Sequence, residues 1–198
     1  MAARSQPPLR KTALTPPVNE SPSHLHARPF QAVLLAAGMA SRMGHRPKAL
    51  LEHDGQPLIR RAVAALLDAG ASELVVVLGH HAQALAPALQ DLPVRTVRNP
   101  DPAAEQPASL RCGLLALDGG ADVLVALADQ PLIDADAIAA LLSAYRQRPV
   151  GTELVQPEVD GQPGNPVVFS PRVREQMLAA PQGMSVESWG NCRTTGRS

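Results

Sequence analysis

"VLLAAGMASRMGHRPK", Val33–Lys48, is the stretch on which the reading of this chain turns. An apolar run stops at Gly38, and the loop beyond it carries Arg42, Arg46 and Lys48 with no acid among them. The run itself, "AVLLAA" from Ala32 to Ala37, reads as a buried strand. A strand emptying into a glycine-punctuated basic loop asks what the loop is built to hold.

Outward from that strand, short apolar runs alternate with helical patterns. "ELVVVLG" (Glu73–Gly79), "VRTVRN" (Val94–Asn99) and "DVLVALAD" (Asp122–Asp129) predict strands. "QPLIRRAVAALLDAG" (Gln56–Gly70) places Leu58, Ile59, Val63, Leu66 and Leu67 at near-helical spacing and ends on a glycine. "HAQALAPALQ" (His81–Gln90) predicts a short helix with Pro87 awkward in its middle, and "ASLRCGLLAL" (Ala108–Leu117) a further helix. "DADAIAALLSAYRQR" (Asp134–Arg148) predicts a helix capped by Asp134. "LVQPEV", "DGQPG" and "NPVVFS" predict a hairpin around Gly161 and Gly164. The alternation implies an α/β fold of three layers, α/β/α, with a mostly parallel, Rossmann-like sheet. Such sheets bind ligands beyond the carboxyl ends of their strands. Two features fall there: the loop from Gly38 to Lys48, and Asp129 with Gln130 and Pro131.

Composition sets the bounds. A chain of 198 residues can bury a real core, and with 45% apolar but 2% aromatic residues that core is aliphatic. Eighteen basic residues balance eighteen acidic ones, which argues against a nucleic-acid-coating protein. No run approaches the roughly 18 apolar residues of a membrane span. Cys112 and Cys192 are far apart and without metal spacing, so free thiols in a reducing, cytoplasmic setting are expected. Residues 1–29, rich in Pro, Ser and Thr, predict a disordered leader, with a faint likeness to a transit peptide as the alternative. The expected division is this leader, a folded domain over 30–180, and a tail over 181–198.

The opening loop is neither a Walker P-loop nor a dinucleotide fingerprint. Five residues separate Gly38 from Gly44, His45 follows, and no Gly-x-Gly-x-x-Gly occurs. The ingredients for phosphate are nevertheless present: glycines that let backbone N–H groups approach an anion, and Arg42 and Lys48 for charge-assisted bonds. A solvated basic turn before a helix remains an equal reading. Asp129, directly after "VLVAL", is a turn or cap residue on one reading. Facing a phosphate pocket it is a Mg²⁺ ligand, since magnesium takes one or two carboxylates plus phosphate oxygens and water.

Four segments, in order, resemble the MobA-like nucleotidyltransferases, and within them most closely the molybdenum cofactor cytidylyltransferases. They are "LLAAGMASRMGHRPK", "QPASLRCGL" (Gln106–Leu114), "LADQP" (Leu127–Pro131) and "GNPVVFS" (Gly164–Ser170). The resemblance covers roughly Ala32 to Leu178. It implies the nucleotidyltransferase type of α/β sheet, with the small hairpin near the acceptor side. It also implies Mg²⁺-dependent transfer of a nucleotidyl group, CMP from CTP, to a phosphorylated acceptor, molybdopterin, with release of pyrophosphate. By resemblance, Leu35, Ala36, Ala37 and Gly38 lie on the base and ribose side, and Arg42 and Lys48 hold the triphosphate. Ser109 and Arg111 bind base or triphosphate, and Asp129 holds the metal. Gln130, Gly164, Asn165 and Pro166 line the acceptor side. CTP is preferred over GTP because the guanylyl branch usually carries two glycines where this chain has Ala37-Gly38.

Two departures stand out. Asn165 replaces the usual His, and no Asp-x-Asp-Thr-Pro stretch follows, so the late metal-binding Asp is missing and Glu187 is the only acid after Glu175. The tail over 181–198 therefore reads as foreign to the fold, by truncation or a shifted frame. Rival functions are guanylyl or sugar-phosphate transfer, and a non-catalytic nucleotide- or cofactor-binding protein that serves a molybdoenzyme. His80 and His81 read as loop or helix-start residues without acid or Cys at ligand spacing, and Cys112 as small-residue packing on a helix.

Overall fold

The computed structural model describes residues 29–38, 47–101 and 106–180. In chain order the elements are β1 (Phe30–Ala36), a 3₁₀ turn (Lys48–Leu50), β2 (Glu52–His53), β3 (Gln56–Pro57), α1 (Leu58–Asp68), β4 (Ala71–Leu78) and α2 (Ala82–Leu85). A second 3₁₀ turn (Ala86–Leu89), β5 (Arg95–Arg98), α3 (Gln106–Ala116), β6 (Asp122–Leu127), α4 (Ala135–Arg146) and β7 (Leu154–Val155) follow. The described part closes with β8 (Glu158–Val159), β9 (Gln162–Pro163), β10 (Val167–Phe169) and α5 (Pro171–Ala179).

Six strands form one sheet in the order β5-β4-β1-β6-β10-β7. β5, β4, β1 and β6 run parallel, while β10 is antiparallel to both β6 and β7. The period of two along each strand divides the core. Ala32, Leu34, Val76, Leu124 and Ala126 face α1, α2 and α4, where Ile59, Leu66, Leu85, Ile138 and Leu142 pack. Val33, Leu35, Val75, Val77, Val123 and Val125 face α3 and α5, packing with Leu110, Leu114, Val173 and Met177. Strands buried on both faces carry no polar alternation, which is why the apolar runs in the sequence look continuous. The mostly parallel three-layer architecture expected from the sequence is the one observed.

Several boundaries differ from the sequence reading, each for a physical reason. The first helix begins at Leu58, because Gln56 and Pro57 pair with His53 and Glu52 in a two-strand ribbon. Pro87 divides the next helix: α2 stops after Leu85, and a 3₁₀ turn with the proline in its first positions takes over. Asp134 caps α4 as expected, its carboxylate accepting from Ala137 N–H at 2.8 Å. The hairpin near Gly161 is the β8–β9 ribbon, turned by Asp160 and Gly161 at φ 53° and 75°.

α3 and α5 brace each other. Arg174 donates to the carbonyls of Leu114 (2.8 Å) and Leu117 (2.9 Å), so it caps the last turn of α3. Arg111, on α3, donates in turn to Leu178 O (2.7 Å) and Met177 O (3.4 Å) at the end of α5. The two helices are thereby antiparallel neighbours, each closed by the other's arginine. Among the described residues no helix is long and apolar enough to cross a membrane.

Candidate functional site

The carboxyl ends of the four parallel strands lie at one end of the sheet, the end at which open α/β sheets bind their ligands. β1 leaves through Ala37 and Gly38, flanked by Gly79 after β4 and Ala128-Asp129 after β6. Backbone bonds tie these exits together: Ala128 N–H donates to Leu35 O (3.0 Å) and Asn99 N–H to Leu78 O (2.9 Å). Gly79 allows the closest approach. A Cβ there would lie 2.6 Å from Ala37 O and 2.8 Å from Ala37 Cα, so any side chain would displace the β1 exit. Ala37 is half-buried and Gly38 exposed.

The antiparallel strand brings a distant segment to the same end. Val167 opposes Val125, so Gly164, Asn165 and Pro166, which precede β10, lie beside the exit of β6. Gly164 is held there by its N–H donating to Pro157 O at 2.8 Å, and its Cα lies close enough to Pro157 that a Cβ would sit 3.3 Å from the ring. Pro166 is buried, Asn165 half-buried.

Three side chains at this end keep polar atoms without a partner among the described residues. Asp129 is exposed, and no hydrogen bond or ion pair engages its carboxylate among the described residues. Lys48 is likewise exposed and unpaired, beside the buried Ala49 that anchors its turn. The side-chain oxygen of Gln130 is buried without a partner, an acceptor directly after Asp129. No group of three His, Cys, Asp or Glu that could hold a metal occurs among the described residues. Arg42 lies outside the described residues, as do Glu187 and the rest of the tail.

Two residues assigned to the nucleotide by resemblance are engaged with the protein itself. Ser109 is 4% exposed and its Oγ accepts from Asn99 Nδ2 at 3.0 Å. Arg111 reaches α5, as above. Nothing in the sequence singles out Asn99. A lone Asn at a strand end carries no pattern, and only its bonds across ten residues reveal it. Cys112 is a half-buried free thiol, its Sγ 3.9 Å from Asn99 Oδ1. His80 is exposed, and His81 precedes α2 without a side-chain capping bond.

The sheet order, the helices on both faces and the loops gathered at one end define an α/β protein of the nucleotidyltransferase fold. Rv0371c from Mycobacterium tuberculosis H37Rv shares that fold, with a TM-score of 0.69 over 86% of this chain and 85% of that one at 24% identity. A nucleotidyl transferase from Methanothermobacter (Mth528) is 30% identical, with a TM-score of 0.65 over 78% of this chain and 77% of its own. The profile of the MobA-like NTP transferase domain matches residues 32–191, and the chain belongs to that family. Nicotine blue oxidoreductase from Paenarthrobacter nicotinovorans is 39% identical over 114 residues, 58% of this chain. The match spans little more than half of that relative, 56% of its length.

Proposed function

We propose that this chain transfers a nucleotidyl group from an NTP, with CTP preferred, to a phosphorylated acceptor of the molybdopterin type, releasing pyrophosphate. The observation that carries the reading is the meeting of three separate sequence segments at one end of the sheet: the exit of β1, Asp129-Gln130 after β6, and Gly164–Pro166 before β10. A phosphate oxygen of the acceptor attacks the α-phosphorus, a P–O bond forms, and the bond to the pyrophosphate breaks. An anionic phosphate needs no general base, so the protein's task is alignment and neutralisation of charge.

Each residue takes a part in that task. Ala36, Ala37 and Gly38 seat the base and ribose, and the contact of Gly79 with Ala37 fixes the floor of that seat. The Ala37 methyl narrows the space for a purine, which favours cytidine modestly. Lys48 and Arg42 bind the β- and γ-phosphates and stabilise the leaving pyrophosphate. The unpaired carboxylate of Asp129 fits a hard divalent cation such as Mg²⁺, whose other ligands would be phosphate oxygens and water. Such an ion, when bound, neutralises phosphate charge. A described neighbour of the same fold, Rv0371c, is known as a manganese complex. Gln130 and Asn165 offer an acceptor and an amide to the second substrate.

The deciding experiment measures pyrophosphate release with CTP, GTP, ATP and UTP, each with and without molybdopterin. Release that requires both CTP and molybdopterin is the expected result. Release with GTP or a sugar phosphate instead moves the chain to the rival transferase readings, and NTP binding without release makes it a carrier serving a molybdoenzyme. A redox reading is suggested by the likeness to nicotine blue oxidoreductase, and turnover of a redox dye without pyrophosphate release would favour it.

A further inference from the structure

We propose that Asn99 is a positioning residue: it fixes the first turn of α3 at the ligand end of the sheet, and through that turn sets nucleotide affinity. The second half of this statement rests on the nucleotide reading above; the first half does not.

Asn99 directly follows β5 and is 2% exposed. Its backbone N–H extends the sheet by donating to Leu78 O at 2.9 Å. Its side chain faces two ways. Oδ1 accepts from Asp101 N–H at 3.0 Å and lies 3.9 Å from the Cys112 thiol, while Nδ2 donates to Ser109 Oγ at 3.0 Å. A buried primary amide is suited to this double role because it donates and accepts at once. Aspartate would keep the bond from Asp101 and, with no donor of its own, could still accept from the Ser109 hydroxyl. An apolar residue would keep neither.

The bond matters because of where α3 is otherwise held. One turn beyond Ser109, Gly113 packs so closely on the sheet that a Cβ would lie 2.4 Å from Val33 Cγ1 and 2.9 Å from Val77 Cγ2. At the far end, Arg174 binds the carbonyls of Leu114 and Leu117. Asn99–Ser109 is therefore the polar attachment of the near end, and the turn that holds Ser109 is the part of α3 at the ligand end. Ser109 is buried and already accepts a bond, so this turn owes its placement to Asn99. Asn99 itself is too enclosed to touch substrate, and it acts through the turn.

The test compares Asn99→Ala, Ser109→Ala and the double variant in the full chain. Mg·CTP and Mg·GTP are titrated calorimetrically well below the melting temperature, and amide hydrogen exchange is followed at Leu110 and Arg111. Each single variant should weaken nucleotide binding about tenfold, the loss of the buried Asn99–Ser109 bond. The double variant should be no weaker than Asn99→Ala, since both single variants break that bond. Exchange should quicken in the first turn of α3 and not around Gly113. A purely structural pair would lower the melting temperature while the folded protein bound nucleotide normally, and that result overturns the proposal, as do losses that multiply. Should the unmodified chain bind neither nucleotide, the transferase reading falls. The placement of α3 by Asn99 is then decided by exchange alone, and unchanged protection in the variants overturns it. If Asn99→Ala does not fold, Ser109→Ala carries the same comparison.

Discussion

The two ends of the sheet treat polar side chains in opposite ways. At the strand starts, polar groups satisfy one another. Glu73 accepts from Gln31 Nε2 (2.6 Å), from Asp118 N–H (3.2 Å) and from Arg95, and Arg95 also donates to Ala116 O. Tyr145 O–H donates to Asp122 at 2.9 Å, and burial together with that carboxylate pushes the phenol well above its ordinary value. Ser170 Oγ donates to Glu153. Among the described residues Gln31 Oε1 is left over at this end. At the strand exits the picture inverts: Lys48, Arg98 and Asp129 have no partner among the described residues, and Gln130 Oε1 is buried without one. One end spends its hydrogen-bonding capacity on the fold. The other leaves these groups unpaired, the bonds of Asn99 to Ser109 and Asp101 apart.

Substitutions at the two ends should separate activity from stability. The largest effect is expected at Asp129. Asp129→Asn keeps the turn and removes the charge, so metal-dependent pyrophosphate release should fall about 10²-fold, the scale of a misplaced reacting group. Its melting temperature should match the unmodified chain; early melting with normal Mg·CTP binding would make the carboxylate structural and erase the contrast. Lys48→Ala comes next. CTP affinity should drop by about 1.5–3 kcal/mol, as for charge-assisted bonds, and CMP affinity much less. Equal losses for CTP and CMP would remove Lys48 from the triphosphate.

The opposite end should answer in reverse. Glu73→Ala leaves the buried Gln31 amide unpartnered and should cost about 1–3 kcal/mol of stability, read by urea unfolding, with nucleotide affinity intact. A loss of affinity in that variant would mean that the two ends are coupled. The smallest effect concerns a pair on the helical layer. Arg60 grips Asp91 through two bonds of 2.6 and 2.7 Å, and this holds the carboxyl at about 2, below its ordinary 3.8. A depressed acid stabilises the fold above its ordinary value and loses that contribution as pH falls through the folded value. The gap in melting temperature between the unmodified chain and Asp91→Asn should therefore be constant above about pH 4 and close toward about pH 2. Both side chains meet solvent, so the gap is small and shrinks with salt.

Much of this architecture is written locally. β1, β4 and β6 are strands because uninterrupted aliphatic runs can be buried only between two helical layers. α4 begins where Asp134 caps it, and the helix after His81 breaks at Pro87 because that ring cannot donate to the ladder. The gathering of the Gly38 exit and Asp129 at one end follows from parallel strands alone, since every such strand delivers its carboxyl end to the same side.

What the sequence could not determine is which polar side chains would meet. Arg111 stands in a nucleotide-like motif, yet its guanidinium spans to the carbonyl of Leu178, sixty-seven residues on, because α5 comes to lie antiparallel beside α3. Ser109 looks like a ligand residue and is found buried against Asn99, an ordinary strand-end residue in the sequence. The placement of Gly164–Pro166 beside β6 likewise depends on β10 running antiparallel, a choice of pairing that three apolar residues do not encode. Burial and backbone periodicity are properties of short segments and can be read along the chain. A hydrogen bond between distant side chains exists only after packing has set the distance, and only the tertiary structure decides that.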